Sequence, residues 1–119
     1  MASDVAPDGS PVAVYLALEP GDDLERVRSV LSASARVLDL GSGPGRIANA
    51  LAAEGHDVVA VDDAPEMLRH VRGARTVAAD IWTLDLDERF DVVLALSHLI
   101  NDPSRDRRVQ LLDVCTRHV

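Results

Sequence analysis

Chemistry in this chain of 119 residues starts from three aspartates, each standing in or just after a short apolar run. Asp39 lies inside Val37-Leu38-Asp39-Leu40, Asp62 follows Val58-Val59-Ala60-Val61, and Asp80 follows Thr76-Val77-Ala78-Ala79. A carboxylate accepts through two oxygens, so it suits paired hydroxyls, an exocyclic amine or an ammonium group. Directly after Leu40 come Gly41-Ser42-Gly43-Pro44-Gly45-Arg46, with glycines at alternate positions. Lacking Cβ atoms, such a turn can take positive φ and let a ligand approach the main chain. The dinucleotide pattern G-x-G-x-x-G would place its third glycine where Arg46 stands. That departure, with Asp39 two places before Gly41, favours a ligand carrying a cationic group and few phosphates.

Asp62 falls about 20 positions after Gly41, the place of the acid that hydrogen-bonds a ribose diol in mononucleotide-binding folds. Asp63 is its neighbour. Side chains alternate along a strand, so only one of the two is expected to face the ligand, and we assign Asp62. Asp80 is placed to accept from an exocyclic amine, with the Ile81 N–H donating to a ring nitrogen. Met67 reads either as core or as a contact to the face of the bound base.

The elements that must hold these groups follow from the pattern. Arg36–Leu40 reads as a strand buried on both faces, and Ile47–Glu54 as a helix closed by Gly55 at C′. Val58–Val61 is a second strand. Pro65 suits N1 of a helix with Met67, Leu68 and Val71 inward and Gly73 as its stop. Thr76–Ala79 is a third strand and Phe90–Leu96 a fourth. Leu84–Asp87 reads as a turn or edge segment, and Trp82 as packing or a pocket wall. A last helix is expected from Asp102 and Pro103 to about Arg117, with Val109, Leu112 and Cys115 on one face. Upstream, residues 1–20 form a leader in which Val12–Leu18 is a short helix or lid. Asp22 looks like an N-cap with Glu25 three places on, and Leu24, Val27, Val30 and Leu31 give a helical stripe.

Composition bounds the rest. The length fits one domain, which we place at residues 21–119, and the apolar fraction of 47% fits a globular protein. No run approaches the ~20 apolar residues of a membrane span, and Met1–Asp4 lacks the basic head of a signal peptide, so cytoplasm is the expected location. The single cysteine, Cys115, excludes an internal disulfide and a thiolate metal cluster, and no metal site is expected. With a net charge of −8 and no lysine, the chain lacks the basic face of a general nucleic-acid binder. Arg105, Arg107 and Arg108 read as a solvated helical turn. His56, His70 and His118 lie at helix ends or near the terminus and are expected in solvent.

Val37–Arg46, Val61-Asp62, Ala79-Asp80-Ile81 and Phe90-Asp91-Val92-Val93 resemble motifs I to IV of the class I S-adenosylmethionine-dependent methyltransferases. The likeness runs from about Leu31 to Asn101 and is joint, in order and at family spacing. The leader Asp8–Tyr15 is similar to that of bacterial small-molecule methyltransferases, less specifically. The resemblance implies an α/β Rossmann-like domain with parallel strands in the order 3-2-1-4 and S-adenosylmethionine as cofactor. It implies that Asp39, Gly41, Ser42, Gly43 and Gly45 hold the methionine end, Asp62 the ribose, and Asp80 with Ile81 the adenine. Ala64 departs from the family, which often caps this helix with Ser.

The family's sheet has seven strands, and the chain stops where the fifth would follow. The expectation is an incomplete domain with its fourth strand as an uncovered edge, open to pairing with a second copy. By the same resemblance, acceptor contacts come from the segment after the fourth strand, here Ser97, His98 and Asn101. His98 is the candidate base, since an unperturbed imidazole titrates near neutrality. Acidity favours a small-molecule acceptor over nucleic acid. Two alternatives stand beside this reading: a non-catalytic remnant that binds cofactor or partner, and a nicotinamide or flavin oxidoreductase, against which the glycine spacing and Asp39 speak.

Overall fold

The computed structural model describes residues 22–96 and 102–119. Its elements run α1 (Asp22–Val30), β1 (Arg36–Leu40), α2 (Ala48–Ala53), β2 (Asp57–Asp62), α3 (Pro65–Leu68), β3 (Arg75–Ala78), β4 (Val92–Ala95) and α4 (Arg105–His118). The four strands form one sheet in the order β3-β2-β1-β4, every pair parallel, as the family resemblance implies. Val37 pairs with Val58 and Val92, and Asp62 with Ala78. Among the described residues, β3 and β4 are the edges. No helix of the described residues is long and apolar enough to cross a membrane.

Strand alternation divides the interior between the two faces of the sheet. Val37, Val58 and Ala60 pack with Leu24, Val27, Ala48 and Leu51 from α1 and α2. Leu38, Leu40, Val59 and Val61 pack with Ile81, Leu84, Phe90 and, from α4, Leu111 and Val114. Burial on both faces is why β1 and β2 read as continuous apolar runs. Asp39 is the exception, a carboxyl on the α1/α2 face only 3% exposed.

Several elements differ from the sequence-based expectation. Asp22 begins α1 rather than capping it, and Glu25 pairs with Arg28 instead of closing a capping box. The helix expected to continue from Pro65 to Val71 ends at Leu68. There the Asn49 amide takes over, its Oδ1 accepting from Arg72 N at 2.6 Å and its Nδ2 donating to His70 O at 3.3 Å. The fourth strand begins only at Val92. Phe90 N donates to His118 O at 2.7 Å, outside the ladder, while Asp91 clasps the start of β1, its N donating to Arg36 O at 2.9 Å and its Oδ2 accepting from Arg36 N at 2.8 Å. Leu84–Asp87 forms no strand.

The last helix starts at Arg105 with Ser104 as N-cap, and its buried stripe is Leu111, Val114 and His118. Val109 and Leu112 are 45% and 53% exposed, so the expected inner face is turned outward except at Cys115, which packs against the core on the Leu38 and Leu40 face of the sheet. His118, expected in solvent, is wholly buried. Its Nε2 accepts from Leu86 N at 3.0 Å, which leaves Nδ1 as the donor to Val114 O at 2.7 Å. His56 is likewise tied in, its Nδ1 accepting from Ala35 N at 3.1 Å, and His70 is half-buried. Of the basic trio, Arg107 lies over the Trp82 ring at 4.7 Å and Arg108 donates to Asp102 O at 2.6 Å, while Arg105 is exposed. The leader, with its expected lid Val12–Leu18, lies outside the described residues.

Candidate functional site

The C-terminal ends of β1 and β2 are stitched together by the glycine turn. Gly41 N and Ser42 N both donate to Val61 O, at 2.8 and 3.0 Å. Gly41, Gly43 and Gly45 all take positive φ, at 69, 59 and 96°. A Cβ added at Gly43 would meet nothing within 4 Å, so that side of the turn faces open space. A Cβ at Gly45 would overlap the Asn49 side chain, the group that also ends α3. The Gly43 position keeps room for a ligand, and the Gly45 position is closed by packing.

Asp62 leaves β2 on the same face as Ala60 and turns back to the loop. Its Oδ2 accepts from Gly43 N at 2.9 Å and its Oδ1 from Ala64 N at 2.9 Å. One carboxylate thus fixes the glycine turn against the entry to α3, which has no side-chain cap at Ala64. Each oxygen retains a further lone pair for an outside donor. Asp63 is exposed. Asp80 is exposed too, two residues past the Asp62–Ala78 pair, and its Oδ1 accepts from Trp82 N at 2.8 Å in an Asx turn. Ile81 and Met67 are buried.

Asp39, Gly41, Ser42, Gly43, Pro44, Arg46, Ile47 and Leu96 line a cleft with a cavity of about 60 Å³. Among the described residues, no hydrogen bond reaches the Asp39 carboxyl. Burial pushes its pKa up to about 7, with Asp62 and Asp23 adding to the rise and Arg46 opposing it. Arg46 grips Asp23 of α1 through both guanidinium nitrogens, at 2.7 and 3.2 Å. A buried carboxyl with no hydrogen bond among the described residues, beside bare glycine backbone, is suited to a cationic amine.

The structure therefore brings Asp39, the glycine turn and Asp62 into one site, with Asp80 and Ile81 at the adjoining strand exit. Asp62, Gly45, Asp80, Ile81, Met67 and Asp63 do not line the cavity itself; Asp62 adjoins it through its bond from Gly43 N. Ser97, His98 and Asn101 lie outside the described residues. Sequence reasoning missed Arg46, Asp23 and Asn49. Arg46 was signalled by its place in the dinucleotide glycine slot, and Asn49 by being the polar residue in Ile47–Ala53; Asp23 gave no signal beyond an acidic helix start.

A parallel sheet with a glycine turn and acids at its carboxyl ends defines a Rossmann-like ligand-binding domain. A family model described as a methyltransferase domain matches residues 37–119, and the chain belongs to that family. An uncharacterized methyltransferase of Mycobacterium tuberculosis is 42% identical, the alignment covering 82% of this chain and 43% of that protein. The chain thus spans less than half the length of that relative. Among solved structures, it is similar to a TehB-like SAM-dependent methyltransferase from Corynebacterium glutamicum. There the TM-score is 0.75 at 23% identity, over 89% of this chain and 60% of the other. A SAM-bound amino pentose methyltransferase from Micromonospora echinaspora superposes with a TM-score of 0.71 at 27% identity, over 90% and 50%. Family membership speaks against the oxidoreductase alternative.

Proposed function

We propose that the chain carries the cofactor-binding part of an S-adenosylmethionine-dependent methyltransferase acting on a small molecule. The observation that carries this reading is the buried Asp39 carboxyl lining a cleft over a glycine turn that Asp62 holds in place. The residues fit the group: an α-ammonium meets Asp39, and the bare backbone at Gly41 and Gly43 admits its amino-acid end, while Arg46 at the cleft is engaged by Asp23. Asp62 keeps lone pairs for the ribose hydroxyls, Asp80 and the Ile81 N–H serve the adenine edge, and Met67 flanks the base. Ser97 is proposed as a further cofactor contact.

The cofactor supplies an activated methyl on sulfur, and the protein's task is to hold it and align an acceptor. His98 is proposed as the base that takes the acceptor proton where the nucleophile must lose one. A small-molecule acceptor is supported by the likeness to the amino pentose methyltransferase above. Calorimetric titration with S-adenosylmethionine, S-adenosylhomocysteine and NADH tests the reading. Saturable binding of the first two and none of the third is expected; binding of NADH alone would overturn it.

A further inference from the structure

The charges around Asp39 are unevenly matched. From α1 comes Asp23, from the glycine turn Arg46, and from the end of β2 Asp62; β4 contributes the apolar Leu96 at the cleft. Arg46, the cation among them, is turned onto Asp23 in a two-pronged pair and away from a hydrogen bond with Asp39. Asp39 is left 3% exposed, with two other acids close enough to oppose its charge.

We propose that Asp23 is a positioning residue that, by holding Arg46, keeps Asp39 in its protonated form in the free protein and makes ligand uptake release a proton. The inference rests on the reading that this cleft takes the α-ammonium of an adenosyl amino acid. In the balanced step, the Asp39 O–H bond breaks and its proton passes to solvent. The carboxylate so formed then accepts a hydrogen bond from the ligand's ammonium, which keeps its own protons. No other bond changes.

The consequence is a pH dependence in the neutral range, because burial holds Asp39 up to about 7. Below that value the binding-competent carboxylate is the minor form, so affinity falls with its population, about tenfold from pH 8 to pH 6. Arg46 already opposes the rise from a distance; released from Asp23, its guanidinium would be free to approach Asp39 and favour the carboxylate at still lower pH.

The test is calorimetric titration of the full chain with S-adenosylhomocysteine from pH 5.5 to 8, in buffers of different ionisation enthalpy. The wild type is expected to release close to one proton at pH 6 and about half of one near pH 7. Asp23→Asn should move the midpoint to lower pH, Asp23→Glu should restore it, and Asp39→Asn should abolish both proton release and pH dependence. Thermal unfolding of each variant identifies any that fails to fold, and the Asp23→Glu rescue keeps the comparison decisive. Binding with no proton release, or identical profiles for wild type and folded Asp23→Asn, would overturn this inference and leave the cofactor reading standing. Absence of binding at every pH would overturn both.

Discussion

Gly43→Ala and Gly45→Ala add the same methyl to two left-handed positions, and the structure separates their effects. At φ of 59 and 96° a side chain costs about 1 kcal/mol in backbone strain at either site. At 43 nothing lies within 4 Å of the new carbon, so the loss should stop there. At 45 the methyl overlaps the Asn49 amide, which must leave Arg72 N and His70 O. Two hydrogen bonds at about 1 kcal/mol each bring the expected cost to about 3 kcal/mol. At roughly 4 °C per kcal/mol for a domain of this size, Tm should fall by about 4 °C for Gly43→Ala and about 12 °C for Gly45→Ala. Circular dichroism melts read this directly. S-adenosylhomocysteine binding should show the reverse order of directness, since the Gly43 methyl projects into the open side of the turn and should weaken affinity at least about tenfold by excluding the ligand. Equal Tm losses would refute the close approach of Asn49, and unchanged affinity in Gly43→Ala would refute the ligand-facing side of the loop.

Three further outcomes follow from the same geometry. Asp62→Ala removes the acceptor of both Gly43 N and Ala64 N and should cost about 2 kcal/mol in denaturant unfolding, with a marked loss of S-adenosylhomocysteine affinity; Asp63→Ala should do much less to either. His118→Ala leaves Leu86 N–H without its partner and opens a void under α4, so a loss of about 3 kcal/mol is expected in the same assay. Asp39 is raised from 3.8 to about 7 on folding, so the native state binds its proton more tightly than the unfolded chain. Stability should therefore decline as pH rises from about 4 to about 7, the penalty being complete above that. Asp39→Asn should accordingly melt higher than wild type at pH 8, with the difference narrowing as pH falls and closing near pH 4; a lower Tm at pH 8 would contradict the costly burial of this carboxylate.

The sheet was legible because its strands obey a simple rule. Val37–Leu40 and Val58–Val61 are buried on both faces, and each is followed by an acid or a glycine that marks the carboxyl end. The shared position of Asp39 and Asp62 followed from that rule. What stayed hidden depends on contacts between distant segments. Nothing local tells that Asn49 reaches across 23 residues to stop a helix at Leu68. The last helix carries two overlapping apolar stripes, and only docking on β4 selects Leu111, Val114 and His118 over Val109 and Leu112. Arg46 and Asp23 are likewise 23 positions apart, and their pairing exists only because α1 lies over the glycine turn.

Amide hydrogen exchange with and without S-adenosylhomocysteine tests the account at its centre. Protection should rise together in three separate stretches: the glycine turn from Gly41 to Arg46, the exit of β2 from Asp62 to Met67, and the exit of β3 from Asp80 to Trp82. Protection confined to one of them, or gained elsewhere on the sheet, would contradict a single site built on the carboxyl ends of adjacent strands.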